Sequence, residues 1–201
     1  MTAAYIALEG LEGCGKSTHT KRLGEHLGAV ITREPGGTRI GSLLRGILAD
    51  TESTDMSPRT EALLMAADRA QHMAEVVQPA LDAGRHVVSD RSIYSTLAYQ
   101  GHGRRLGVPD LLSISTWALA GRLPDLVVFI EVPTDVLNQR LAKRNLDRFE
   151  REGAEFFARV NDGFHELMAA DPDRWIVVDG TAPKDDVEAD IRTRVSAALP
   201  L

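Results

Sequence analysis

Five short apolar runs recur along the chain, at Tyr5–Leu8, Ala29–Thr32, His86–Ser89, Leu126–Glu131 and Trp175–Val178. Each is of strand length and is bounded by glycine, proline or charged residues. Between them apolar residues return at helical spacing: Leu23 and Leu27, Ile40 to Leu48, Arg59 to Leu81, 92 to 107, Pro109 to Leu119, Pro133 to Leu141, the stripe Phe156, Phe157, Val160 and Phe164, and finally Val187, Ile191, Val195 and Leu199. Strand runs alternating with helical stretches predict an α/β fold, a five-stranded mostly parallel sheet with helices on both faces, and no linker divides residues 1–201 into more than one domain. Leu126–Glu131 is the most apolar run and is expected at the sheet centre. In the Arg59 to Leu81 helix the spacing puts Leu63, Leu64 and Ala67 on the buried side and turns Arg69 and Gln71 to a cleft or to water. The phenylalanine stripe reads as core or as subunit contact.

Polar residues with chemical potential gather where these runs end. After the first run comes Gly10-Leu11-Glu12-Gly13-Cys14-Gly15-Lys16-Ser17-Thr18, the G-x-x-x-x-G-K-[ST] pattern of a P-loop. A phosphate chain needs several backbone N–H groups turned into one concavity, which a loop bent through glycine conformations into a helix N-terminus supplies. Lys16 adds a mobile positive charge over the β- and γ-phosphates, and Ser17 a hydroxyl for Mg²⁺. Arg33-Glu34-Pro35-Gly36-Gly37-Thr38 follows the second run, and Asp90-Arg91 the third. In a P-loop protein an acid beyond a buried strand is the expected Mg²⁺-associated carboxylate, and the arginine beside it can grip a second phosphate bidentately. The plain alternatives are a solvent-facing turn at Arg33 and Glu34, and Asp90 as a helix cap. Basic residues crowd at Arg140, Lys143, Arg144, Arg148 and Arg151, as a short lid over about 140–151 that covers the transferring phosphoryl group or as an ordinary charged helix surface.

Composition narrows the partners. Net charge is -6, with 23 Lys+Arg against 29 Asp+Glu, which disfavours a nucleic acid polymer or an anionic membrane as bulk partner. No apolar run approaches eighteen residues, and the first strand begins almost at the N-terminus, so a cytoplasmic location is expected. The one cysteine, Cys14, excludes an intrachain disulfide. Within the phosphate loop it is either a thiol open to reagents or a small residue that fits.

Two phosphate grips, at Lys16 and Arg91, with an arginine-bearing lid point to a kinase whose acceptor is itself a nucleotide. Over almost its full length the chain resembles the thymidylate kinases. Leu8 to Ser17 follows that family's Glu-Gly-x-[Asp/Glu]-Gly-x-Gly-Lys-[Ser/Thr] loop, and Thr32 to Thr38 is its Thr-Arg-Glu-Pro-Gly-Gly-Thr. Leu63 to Arg69 follows Leu-x-Phe-x-Ala-x-Arg, Asp90 to Gly101 carries the Asp-Arg…Ser-x-x-Ala-Tyr-Gln-Gly motif, and Asp147-Arg148-Phe149-Glu150 is the family's Asp-Arg-x-Glu. It is most similar to the bacterial type whose catalytic arginines lie in the lid.

The resemblance implies a P-loop nucleoside-monophosphate-kinase-like three-layer sandwich, ATP and dTMP as substrates, Mg²⁺ as cofactor and a homodimer. It assigns phosphoryl transfer to Lys16, Glu12, Arg91, Arg144 and Arg148, ATP binding to residues 10–18, and Mg²⁺ to Ser17 and Asp90. The dTMP site would comprise Glu12, Arg33, Pro35, Met65, Arg69, Arg91, Ser95, Tyr99 and Gln100. Arg91 would hold the dTMP phosphate, Arg69 the thymine carbonyl edge, and Tyr99 the sugar, where a ribose 2′-hydroxyl would clash. Two positions depart from the pattern: Met65 stands where phenylalanine commonly stacks under thymine, and Ser92 replaces an aromatic residue or histidine. The rival readings are a related kinase with another acceptor and a P-loop protein that holds ATP without transfer.

Overall fold

The computed structural model describes residues 3–142 and 147–199. Its centre is a five-stranded sheet in the order β2-β3-β1-β4-β5, formed by β1 (Tyr5–Glu9), β2 (Val30–Arg33), β3 (Val87–Asp90), β4 (Leu126–Glu131) and β5 (Trp175–Asp179). All four strand pairings are parallel. The inner strands are buried along nearly their whole length, β1 throughout and β4 up to Ile130. That is why they read as continuous apolar runs and not as alternating ones. The sequence-predicted strands are all present, β1, β2, β3 and β5 reaching one residue further toward their carboxyl ends.

Helices cover both faces and make the three-layer sandwich. On one side α1 (Lys16–Leu27) packs with α9 (Lys184–Ala198), and Arg22 bridges them through Asp185 and Glu188. The other layer contains α3 (Pro58–His72), α5 (Ile93–Thr96), α6 (Val108–Ala118) and α8 (Ala154–Ala170). Here Phe164 of α8 lies 5.1 Å, ring to ring, from Phe129 of β4. The remaining helices are α2 (Arg39–Ala49), which packs on α3, α4 (Gln78–Asp82) and α7 (Thr134–Leu141). Among the described residues no helix is long and apolar enough to cross a membrane.

Two helices are not uniform. The long Arg59–Leu81 pattern is α3, a π-helical stretch Met73–Val77, and α4; the 92 to 107 pattern is α5 followed by a π-helical stretch Leu97–Gly103. The wider π turn places Tyr99 and Gln100 as well as Ser92, Ser95 and Thr96 along one cleft. Close packing against α8 requires glycine here, since a Cβ on Gly103 would sit 2.6 Å from the Phe156 ring.

One expectation about faces is overturned, and another is narrowed. In α3 the buried residues are Glu61, Ala62, Ala66, Asp68, Arg69 and His72, whereas Leu63 is 55% exposed and Ala67 is exposed. Hydrophobicity misled because this face is held by buried ion pairs and hydrogen bonds in place of apolar contact. Of the two readings of the phenylalanine stripe, core is the one that holds for Phe156 and Phe164, with 4% and 0% exposure.

Candidate active site

The strand order places β1 between β3 and β4, with connections leaving to opposite sides, so a crevice opens beyond the carboxyl end of β1. The register sets Leu8 opposite Asp90, and Arg33 opposite Asp90. The P-loop, the Arg33 turn and Asp90-Arg91 therefore emerge together at one edge.

The loop takes its bend from Gly13 and Gly15, with φ of 82° and 102°, values that a side chain would resist. Gly15 directly precedes α1, so the N-terminal N–H groups of a twelve-residue helix face the crevice. Lys16 is folded back over the loop, its Nζ donating to the carbonyls of Gly10 (2.9 Å) and Leu11 (2.8 Å). Cys14 is buried 3.7 Å from that ammonium and packs close to Gly10. The reading of a small residue that fits is the one its 2% exposure supports.

Arg91 is the centre of the opposite wall. Its φ of 74° is a left-handed conformation that costs a non-glycine residue about 1–3 kcal/mol. It is held by an N–H bond to the Leu8 carbonyl and by the Ser89 hydroxyl donating to the Arg91 carbonyl. The guanidinium donates to Glu12 Oε1 (2.5 Å), to Ser95 Oγ (3.0 Å) and, more weakly, to the Gly10 carbonyl (3.4 Å), and lies 5.0 Å from the Tyr99 ring centre. Tyr99 Oη donates to Glu12 Oε2 at 2.6 Å. Burial opposes ionisation of Glu12, but Arg91 and Lys16, with the Tyr99 hydroxyl, outweigh it and hold the carboxyl below its ordinary range.

Behind this group Glu9, fully buried, accepts from the N–H and hydroxyl of both Ser92 and Ser95. Burial pushes Glu9 up, against the pull of Arg91 and the two hydroxyls. Ser92 thus has a use of its own: its hydroxyl caps α5 and is turned inward to Glu9. No bulky residue could make that pair of bonds.

Arg69 is 2% exposed, and it both borders the cleft and anchors its floor. Nε donates to Glu34 Oε2 (2.9 Å) and Nη2 to the Ser92 carbonyl and to Thr96 Oγ1. Its Nη1 is buried without a hydrogen-bond partner, a donor left for an acceptor from outside the chain. Glu34, joined to Pro35 by a cis bond, is shared between Arg69 and His72 Nδ1 (2.9 Å). Burial pushes Glu34 up, yet Arg69 and His72 prevail and leave it below the ordinary 4.5. This refines the solvent-facing alternative for the turn, since Glu34 is buried while Arg33 borders the cleft.

Ser17 Oγ donates to Asp90 Oδ2 at 2.5 Å, and both residues border the cleft. Hydroxyl and carboxylate are hard oxygen ligands of the kind Mg²⁺ takes, with phosphate oxygens and water completing its shell. Among the described residues no group of three or more His, Cys, Asp or Glu is placed to hold a metal ion by itself.

Of the expected site residues, Glu12, Gly13, Lys16, Ser17, Arg33, Pro35, Met65, Arg69, Asp90, Arg91, Ser95, Tyr99 and Gln100 all line the one cleft. Gly10, Leu11, Cys14 and Gly15 form the loop behind it, and Thr18 lies in the first turn of α1. Arg144 lies outside the described residues. Arg148 is not among the residues lining the cleft: its Nε donates to the Leu48 carbonyl (2.8 Å) and its Nη2 pairs with Glu61 (2.8 Å). One arginine was missed, and one expected in the lid reaches the phosphate loop. Arg45 reaches the cleft from α2, bonded to the Pro35 carbonyl, and only its place about two helical turns behind the Thr38 cap could have marked it. Arg140 donates to the carbonyls of Gly13 and Gly180, so it touches the P-loop directly.

Comparison with known proteins agrees with this geometry. A family model described as "Thymidylate kinase" matches residues 8–191. A thymidylate kinase of Clavibacter michiganensis subsp. michiganensis is 43% identical over 206 residues, covering 99% of this chain and 97% of that protein. One from Desulforudis audaxviator is 42% identical over 205 residues, covering 99% and 93%, and one from Leifsonia xyli subsp. xyli 43% over 202 residues, covering 97% and 95%.

The Glu34 pair predicts a pH-dependent cost. Glu34→Gln leaves the buried Arg69 charge uncompensated and lowers stability by about 3–5 kcal/mol at neutral pH. Because the folded-state pKa of Glu34 is depressed, its contribution is present above the ordinary 4.5 and is lost as pH falls through the folded value. Urea unfolding of both proteins should show a gap that narrows on acidification; a gap independent of pH would contradict this.

Proposed function

The chain belongs to the thymidylate kinase family, and on that premise we propose that this cleft binds dTMP along the Arg91 wall and Mg-ATP on the P-loop, passing the γ-phosphoryl between them to give dTDP and ADP. The observation that carries the reading is the pair of phosphate grips across one crevice. One is the Lys16 loop, and the other is Arg91, already aimed by Glu12, Ser95 and Tyr99. A hydrolase would need only the first.

The parts then have defined tasks. Arg91 takes the acceptor phosphate bidentately, and Arg33 and Arg45 add positive charge on the same wall. The unpartnered Nη1 of Arg69 meets the thymine carbonyl edge, Gln100 the base beside it, and Met65 packs on the ring. Tyr99 fills the space a ribose 2′-hydroxyl would need, while Pro35 closes the turn against the nucleotide. Glu12 belongs to the donor loop and to the acceptor wall at once, so it fixes the distance between the two nucleotides. Lys16 swings from the loop carbonyls to the β- and γ-phosphates, and Arg140 reaches the same loop from α7; Arg144 remains the lid candidate for the phosphoryl oxygens. Ser17 and Asp90 would hold Mg²⁺, which when bound neutralises charge on the β- and γ-phosphates. No general base is needed, because the acceptor oxygen belongs to an ionised phosphate.

A homodimer and a cytoplasmic location complete the proposal. Exposed apolar residues stand on α3 and on α2 and α6, which each pack on it, at Leu43, Ile47, Leu63, Leu112 and Trp117, and they support a dimer through those helices. Sedimentation equilibrium should give twice the chain mass, and Leu63→Asp should shift it toward the monomer; a monomeric wild-type protein would refute the arrangement.

The acceptor role of Arg91 is tested by initial rates. Arg91→Ala should raise the KM for dTMP by about a hundredfold or more, from the loss of about 3 kcal/mol of charge-assisted binding, with the KM for ATP changed little. The wild-type enzyme should prefer dTMP over dUMP, dCMP, dGMP and AMP. An unchanged dTMP saturation curve, or equal use of another monophosphate, would contradict the assignment.

A further inference from the structure

A further buried carboxylate lies just outside the cleft, on the first turn of α3. Glu61 is 1% exposed, and no step of phosphoryl transfer uses it. Its Oε1 accepts from Gln100 Nε2 (2.9 Å) and Arg104 Nε (3.2 Å); its Oε2 meets Arg104 Nη2 (3.1 Å) and Arg148 Nη2 (2.8 Å). Arg104 also pairs with Glu152 at 2.5 Å and stacks over Phe156. Two arginines and two glutamates thus form a neutral cluster, which is what allows four charges to be held at this depth.

The cluster joins segments distant in sequence. Gln100 borders the cleft where the acceptor base is placed. Arg148 belongs to the 147–150 turn, whose Asp147, Phe149 and Glu150 border the cleft from the other side. Its backbone and Nε bond the carbonyls of Ala49 and Leu48, tying in the end of the helix that carries Arg45. One carboxylate therefore fixes the amide of an acceptor-facing residue and the seat of the turn that closes the acceptor side. It makes no contact with the P-loop.

We propose that Glu61 is a positioning residue that couples the acceptor pocket at Gln100 to the 147–150 turn through Arg148. The inference rests on the reading of the Arg91 side of the cleft as the dTMP site. With Glu61 held by both arginines, its Oε1 takes the Gln100 Nε2 donor beside Arg104 Nε, so the amide oxygen of Gln100 is aimed in one sense. Loss of the carboxylate frees the amide to flip and releases Arg148 together with the turn. Donor binding on the P-loop is untouched.

Steady-state kinetics of Glu61→Gln, Arg148→Gln and the double variant test this. Each single variant should raise the KM for dTMP by about five- to tenfold, with the KM for ATP within about twofold of wild type. The double variant should be no worse than the poorer single variant, since both remove one link. Arg148→Gln alone keeps the test open if Glu61→Gln does not fold, because it must by itself raise the KM for dTMP. A lowered melting temperature with both KM values unchanged would reduce the cluster to a structural staple and overturn the proposal, as would increases that multiply in the double variant. If the wild-type enzyme itself does not select dTMP, the site reading has failed; if it does and the variants bind dTMP normally, only the coupling has.

Discussion

The Glu12–Arg91 bridge is the constraint on which this site depends. One partner is part of the phosphate loop after β1, the other follows β3, and the parallel register of those strands brings them to one edge. Arg91 adopts a left-handed backbone to be there, and Tyr99, Ser95 and Glu9 surround it so that neither charge is left bare. Without a partner a buried guanidinium would be prohibitive, and without Arg91 the loop glutamate would repel the very phosphates the loop is built to hold. The bridge makes donor loop and acceptor wall a single body.

The rest of the acceptor side repeats this device at increasing distance from the chemistry. Glu34 holds Arg69 and His72, and Glu61 holds Arg104, Arg148 and Gln100. Buried carboxylates orient arginines, which in turn have a donor directed at the cleft or at the segments around it. Preorganised donors of this kind need no rearrangement when a charged ligand arrives, and a nucleotide carries charge at one end and hydrogen-bonding edges at the other. The same polar construction explains why α3 exposes Leu63 while burying Glu61 and Asp68.

The fold was legible in the sequence because parallel strands buried on both faces leave apolar runs that no other element imitates, and Tyr5–Leu8 or Leu126–Glu131 could hardly be anything else. The P-loop, the Arg33 turn and Asp90-Arg91 were legible because strand ends in such sheets converge. What escaped notice lay in relations between segments. Ser92 replaces a bulky residue because its hydroxyl is needed on Glu9; Arg45 has no local pattern to mark it; and the pairing of Arg148 with Glu61, 87 residues away in a stretch read as amphipathic, leaves no trace in either segment. Periodicity counts hydrophobic residues, and a face held together by ion pairs is invisible to it.

A double-mutant cycle on Glu12→Gln and Arg91→Ala tests the central claim most directly, with kcat/KM for dTMP measured at saturating ATP. If the bridge unites the two nucleotide sites, the two losses overlap: the double variant should be close to Arg91→Ala alone, giving a coupling energy above about 1 kcal/mol. Losses that simply add would show that Glu12 and Arg91 serve their nucleotides independently, and would contradict the account.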